Sequence, residues 1–362
     1  MTDPDLRLSA VVPAPPKVVY EALTDPAALR VWLAEHAHVD LPGTYEFWGR
    51  FTPDGAEPHQ RVLHVDERTI RFAWTVEGVE STVEVELAED EDGTLVTLSQ
   101  SDLPSFAEVL ADEAGARGAL STFWSLAIAN LADYLAGREL TPKCDFTSNE
   151  LRASVVIDAA PEQVFDSMTQ SEQFARWFGA NVDIEPYVGG RFAMGGFDLD
   201  PGGAKFVEFE PGRKATLRFA DGMTDSWELE GSDGKTRLTV VESGFDPANP
   251  PYPGWTGWLG GLAALRRYHE LPQQRSIWRQ IHIAGVPEAC SASTNRLSAA
   301  AETVGRPDGI DVHWVRPPGP GRACSCLREF LCSIALPTPL SMMPNAAATA
   351  ARATTRHRRL QG

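Results

Sequence analysis

The strongest constraint on this chain is a repeat. Ala14-Pro15-Pro16-Lys17-Val18-Val19-Tyr20-Glu21-Ala22-Leu23-Thr24-Asp25-Pro26, closing on Trp32, returns 145 residues later as Ala159-Ala160-Pro161-Glu162-Gln163-Val164-Phe165-Asp166-Ser167-Met168-Thr169, closing on Trp177. The register holds without a gap from Leu6/Leu151 to Leu33/Phe178. A period that long exceeds any solenoid unit and means two copies of one domain. The length of 362 residues accommodates both, and each copy is long enough to bury a core of its own.

Within a copy the hydrophobic period changes along the chain. Residues 6–12 are an apolar run that reads as a strand and stops at Pro15-Pro16. Val19, Tyr20 and Leu23 recur at helical spacing, so a short helix spans 16–23, with proline in its first turn where no amide is needed. Asp25-Pro26 is an N-cap followed by proline at the first helical position, and Leu29, Trp32 and Leu33 form the stripe of a second helix. From Gly43 to Gln100 apolar and polar residues alternate, with Asp92-Gly93 as a hairpin turn, which predicts an antiparallel meander. Trp124, Ala127, Ile128, Leu131, Tyr134 and Leu135 then make one face of a long helix over 120–135, ended by Gly137.

The second copy follows the same order. Leu217-Arg218-Phe219 is set against Ile70-Arg71-Phe72, and Trp258, Leu265 and Tyr268 against Trp124, Leu131 and Tyr134. The proline-rich run 245–254 reads as an extended loop, and Gly260-Gly261 inside the last helix leaves room for close packing or for a ligand. The expected division is 5–138 and 148–272 for the two copies, 139–147 for the linker, and a low-order tail over 273–362 rich in Arg, Pro, Ala and Cys.

Charge narrows the partners. From Gln273 onward there are 11 Arg, no Lys and 5 acidic residues, so the first 272 residues carry 21 basic and 45 acidic groups, a balance of −24. A body this acidic repels nucleic acid and anionic membrane, and solubility is its ordinary use. Four of five cysteines lie in the tail, which leaves only Cys144 for the two copies and no disulfide framework there. No secretory h-region and no run of membrane-spanning length is found, so the expected compartment is the cytoplasm.

The string Ala-Pro-Pro-x-x-Val-Tyr-x-Ala-Leu-Thr-Asp-Pro-x-x-Leu-x-x-Trp over 14–32 resembles the opening of the domain family named after the activator of Hsp90 ATPase, within the wider START/Bet v 1-like (SRPBCC) superfamily. The Trp-x6-Leu-x2-Tyr of both terminal helices fits the same family. The second copy departs at Gln170-Ser171, where the first has Asp25-Pro26, which weakens one helix cap. The resemblance implies an α+β fold of two tandem helix-grip domains, each a curved antiparallel sheet around a long C-terminal helix. It also implies a cavity between sheet and helix. The inward aromatic and apolar positions that would line it are Phe47, Phe72, Trp74, Trp124 and Ile128 in the first copy, and Phe192, Phe219, Trp227, Trp258 and Leu262 in the second. The competing reading is that these side chains simply fill the cores.

No catalytic or metal constellation is expected. His36-x-His38 lacks further ligands at metal spacing and reads as a solvated pair, while Glu84/Glu86 and Glu228/Glu230 alternate with apolar strand residues and should face water. No phosphate-binding glycine motif is present and no cofactor is expected. The favoured function is non-catalytic binding of a small hydrophobic or aromatic molecule. The first alternative is a co-chaperone-like module acting on an Hsp90-type ATPase. The second is a polyketide cyclase- or hydrolase-like enzyme, for which His64, Asp225 and Tyr252 are candidates by elimination.

Overall fold

The computed structural model describes residues 5–105, 108–109, 114–179, 181–198, 200–271 and 276–283. The first copy runs β1 (Leu6–Val12), α1 (Pro16–Thr24), α2 (Pro26–Trp32), β2 (His36–Asp40), β3 (Thr44–Trp48), β4 (Gln60–Val65), β5 (Thr69–Val76), β6 (Val79–Asp90), β7 (Gly93–Gln100) and the long α3 (Leu120–Leu135). The second runs β8 (Leu151–Ile157), α4 (Pro161–Thr169), α5 (Ser171–Phe178), β9 (Val182–Ile184), β10 (Arg191–Met194), β11 (Ala204–Glu210), β12 (Lys214–Arg218), β13 (Thr224–Ser232), β14 (Lys235–Ser243) and α6 (Tyr252–Glu270). All strand pairs are antiparallel, so the fold is α+β with one helix-grip unit per copy.

Local chemistry explains the element boundaries. The Asp25 carboxylate accepts the Ala27 and Ala28 amides at 3.0 and 3.3 Å and starts α2. The corresponding Gln170 makes no side-chain cap, as its replacement of Asp25 predicts. Thr94 and Thr236 pin equivalent turns by donating to the carbonyls of Ala14 and Ala159, at 2.6 and 2.7 Å. Trp32 and Trp177, which close the repeated motif, donate their indole N–H to the Ala22 and Ser167 carbonyls and tie each helix pair together.

Each long helix is buried around most of its circumference because it has two neighbours. Its inner face packs on its own sheet and its outer face on the long helix of the other copy. Leu126 on α3 accordingly belongs to the second copy's core. Gly261 on α6 faces α5, where a β-carbon would stand 3.5 Å from the Trp177 ring. The pair Gly260-Gly261 thus serves close helix packing at its second member.

Asp133 on α3 is the electrostatic centre of this junction. It pairs with Arg138 at 3.0 Å, with Arg266 at 3.0 Å and with Arg267 at 2.7 Å, and all but Arg138 are almost fully buried. Arg267 also donates to the Ala129 carbonyl, Arg266 to that of Glu139, and Arg138 bridges on to Glu270.

The linker adds a second tie. Lys143 donates to the Arg30, Val31 and Ala34 carbonyls at the C-terminal end of α2, at 3.2, 2.9 and 3.2 Å, and lies 4.6 Å from the Phe51 ring centre. Burial, and then the nearby Arg50, pull the lysine down to about 8, opposed by the charge of Glu35. Lys143→Met keeps the stem and removes the donor, so it is expected to cost about 1 to 2 kcal/mol. A urea midpoint unchanged by the substitution would refute the tie.

Two sequence expectations are corrected here. The proline-rich run is not a loop through residue 254, because α6 already begins at Tyr252 and carries Pro253 in its first turn, where a missing amide is harmless. The tail expected from 273 contains a strand. Residues Trp278–Ile283 form β15, which pairs antiparallel with β1, Leu6 facing Ile283 and Leu8 facing Ile281. The sheet order is β15-β1-β7-β6-β5-β4 in the first copy and β8-β14-β13-β12-β11-β10-β9 in the second. Ile277, Trp278, Ile281 and Ile283 pack on the first copy's core, which is what holds this segment down. The remainder of the expected tail, 284–362, lies outside the described residues. Among the described residues, no helix is long and apolar enough to cross a membrane.

Candidate functional site

The residues expected to line cavities are placed as two interior clusters. In the first copy Phe47, Phe72, Trp74 and Trp124 pack ring against ring, with Phe47 5.3 Å from Trp74 and Trp74 5.6 Å from Trp124 between centres. Ile128 is buried in the same cluster. In the second copy Phe192 touches Trp227 at 5.9 Å, Trp227 touches Trp258 at 5.7 Å, and Leu262 is buried among them. Phe219 stands apart. Strand pairing aligns Phe72 with Leu217, since both face the β6 or β13 residue opposite Gln100 or Glu242. The expected match of Phe219 to Phe72 is therefore off by two; Phe219 corresponds to Trp74 and lies half-buried at the sheet's end, against Met194, Met223 and Phe245.

Concave features near the surface lie elsewhere. A void of about 10 Å³ sits at the junction of the copies, beside Trp32, Phe51, Phe123, Lys143, Cys144 and Thr256. An open groove of about 410 Å³ runs past Asp158, Gln163, Asp166, Gln173, Tyr268 and His269. Neither opens into a sheet–helix interior.

The two interiors differ in one polar layer. In the first copy, Trp124 Nε1 donates to Gln100 Oε1 at 2.7 Å, Gln100 Nε2 donates to Ser81 Oγ at 2.9 Å, and Ser81 Oγ donates to the Trp74 carbonyl at 3.0 Å. Every polar atom of that chain is used and every group is neutral. Strand register places Met223, Asp225 and Glu242 at the positions of Ser81, Val83 and Gln100. Asp225 and Glu242 face one another across β13 and β14 and are almost fully buried. Trp258 Nε1 donates to Asp225 Oδ2 at 3.1 Å, and there the partners end. Asp225 Oδ1, both Glu242 oxygens and Trp227 Nε1 are buried without a hydrogen bond.

Facing β-carbons in such a pair are about 5 Å apart, so two negative charges cannot be held there cheaply. Burial pushes the Asp225 carboxyl up to about 8, opposed by the Trp258 bond and helped by the charge of Asp221. Burial, and then Asp225, push Glu242 well above the usual carboxylate range. The pair therefore holds protons at neutral pH. Cys144, which Glu242 also acts on, is raised to about 12, chiefly by burial. A perturbed acid pair with orphaned oxygens in an apolar interior is a candidate site, because such groups are otherwise selected against.

Of the residues named by elimination, only Asp225 belongs to this constellation. His64 is exposed and bonded to Asp66 at 3.0 Å, and Tyr252 is half-buried, donating to the Ser148 carbonyl. Glu84, Glu86, Glu228 and Glu230 face outward, Glu84 beside Arg71 and Glu228 beside Arg152. His36 and His38 lie exposed on β2 beside Glu35 and Glu46. Sequence reasoning missed Glu242. Its signal was the hairpin strand itself, Thr94-Leu-Val-Thr-Leu-Ser-Gln100 against Thr236-Arg-Leu-Thr-Val-Val-Glu242, where an acid replaces an amide at the end of an apolar run.

The family model of the Activator of Hsp90 ATPase homolog 1-like protein matches residues 13–136 and 158–267. No curated protein matches the chain. Among solved structures, the chain is similar to DynU16, a protein of the dynemicin biosynthetic locus, at 21% identity over 73% of this chain and 95% of that one, with a TM-score of 0.31. It is similar to CalU16 from Micromonospora echinospora at 24% identity over 36% and 73%, TM-score 0.28. The Aha1 dimer from Colwellia psychrerythraea is similar at 18% identity over 34% and 98%, TM-score 0.30.

Proposed function

Starting from a chain that belongs to the Activator of Hsp90 ATPase homolog 1-like family in both of its copies, we propose that the second copy binds a small hydrophobic or aromatic molecule, without chemical change, between its sheet and α6. The first copy is its scaffold. The observation that carries this reading is the contrast in the polar layer: Ser81 and Gln100 are satisfied internally, whereas Asp225 and Glu242 await a partner. A ligand-binding interior wants an apolar wall with a few polar groups for orientation, and Trp227, Trp258 and Phe192 around the acid pair supply that arrangement. The way in is the end of the sheet, where half-buried Met194, Phe219 and Phe245 cover Met223. Methionine is the side chain that most readily yields and repacks.

The test is a thermal-shift screen of the full chain against fatty acids, flavonoids, polyketides and sterols. A ligand that selects the folded state is expected to give a saturable rise of several degrees. Phe219→Trp installs the residue that the first copy has at this position and narrows the way in, so it is expected to reduce or abolish the shift. No shift with any class would overturn ligand binding, and a shift indifferent to Phe219→Trp would overturn the assignment to the second copy.

A further inference from the structure

Resting on that reading, we infer that the ligand of the second copy carries a primary amine, and that its ammonium group sits between Asp225 and Glu242. Three acceptor oxygens are buried there without a donor, namely Asp225 Oδ1, Glu242 Oε1 and Glu242 Oε2. An ammonium group brings three N–H donors and one positive charge, which matches the number of unused oxygens and the negative charge the pair gains when a proton leaves it.

The surroundings contain nothing else that does this. The groups beside the pair are Leu217 on β12, Leu151 on β8, Trp258 on α6 and Cys144 in the linker, all neutral, while Asp221 adds a further negative charge. Among the described residues no cation acts on either carboxyl, in contrast to Asp133, which holds three arginines. A hard metal ion would need about six oxygens. Among the described residues no group of three or more metal-binding side chains exists, and the neighbours here are rings. An organic ammonium needs fewer acceptors and gains from aromatic faces such as those of Trp227 and Trp258, 5.7 Å apart. The apolar rim of Met194, Phe219, Met223 and Phe245 then meets the hydrocarbon body of the ligand.

Binding of the ammonium form displaces a proton from the acid pair to solvent, and the amine itself arrives already protonated. Affinity is therefore expected to rise about tenfold for each pH unit while the free pair holds a proton that the complex lacks.

The experiment is calorimetric titration of the full chain with 2-phenylethylamine and octylamine, each against its alcohol, 2-phenylethanol or octanol. About 0.5 M salt is included to screen attraction to the acidic surface. The amine is expected to bind at least about tenfold more tightly than its alcohol at pH 8, to lose that advantage toward pH 5, and to release about one proton when buffers of different ionisation enthalpy are compared. Glu242→Gln and Asp225→Asn should each remove the amine's advantage over its alcohol. Both variants relieve a buried acid, so they remain folded, which a melting curve verifies. Amine and alcohol binding alike would overturn the amine assignment and leave hydrophobic binding standing. Binding of neither would overturn the amine inference, and the thermal-shift screen decides hydrophobic binding separately. An advantage that survives Glu242→Gln and Asp225→Asn would place the amine elsewhere and overturn the inference.

Discussion

Replacing Asp225 by Val and Glu242 by Gln, the residues at those positions in the first copy, is expected to stabilise the protein strongly at pH 8 and little at pH 4.5. The folded-state pKa of both acids lies above the ordinary range, to about 8 for Asp225. Above about pH 4 an unfolded chain has released these protons while the folded chain retains them, so folding must take protons up and stability falls as pH rises. Asp225 alone contributes about 1.4 kcal/mol per pH unit until its folded-state value is passed, so the gain from the double replacement should be at least on the order of 5 kcal/mol larger at pH 8 than at pH 4.5, with Glu242 acting in the same direction. Below the unfolded pKa the term vanishes, and only the relief of unsatisfied oxygens remains. Urea denaturation at the two pH values measures this directly. An equal gain at both would show that the acids are solvated and ionised in the folded state.

The second large effect is expected at the junction of the copies. Asp133→Asn leaves Arg138, Arg266 and Arg267 gathered around a neutral amide, with Arg266 and Arg267 almost fully buried. Removing one partner of a buried ion pair costs about 3 to 5 kcal/mol because the remaining charge is stranded. Burial already depresses the Arg267 guanidinium, and Asp133 is the charge that opposes it. Since Arg266 and Arg267 come from α6 and Asp133 from α3, the loss falls on docking rather than on either core. The expected calorimetric trace is a melting temperature lowered by roughly 10 °C with the single transition split in two. A single transition within about 2 °C of the parent would mean that the helices hold by apolar packing alone.

Much of this fold is legible in the sequence because it is written twice. The gapless repeat from Leu6 to Leu33, the Asp25-Pro26 cap, the Asp92-Gly93 turn and the stripe ending at Gly137 are local signals, and local signals decide elements. Three things were not legible. Phe219 was misaligned by two because an aromatic matches an aromatic, whereas the true register is fixed by hydrogen bonding across β12 and β13. The role of Asp133 required knowing that the long helices pack back to back, since Arg266 and Arg267 are 133 or more positions away in sequence. The acid pair required both facts together: Asp225 looks like one more strand acid beside Glu228 and Glu230, and only the ladder turns it inward to meet Glu242. A buried charge is the kind of residue that pattern reasoning assigns to water, so a functional site that breaks the pattern escapes it.

The pairing of β1 with β15 also bears on how the molecule comes into being. The first copy's outermost strand, Leu6–Val12, is closed by Trp278–Ile283, which lie beyond the whole of the second copy. A nascent chain emerges from its amino end, and the first copy has all its own strands long before that closing strand exists. Through the synthesis of more than a hundred residues its edge stays open to any passing strand. The amino-terminal copy is thus finished last, and a chain that stops at Glu270 has two complete repeats yet leaves Leu6–Val12 of the first as an uncovered edge.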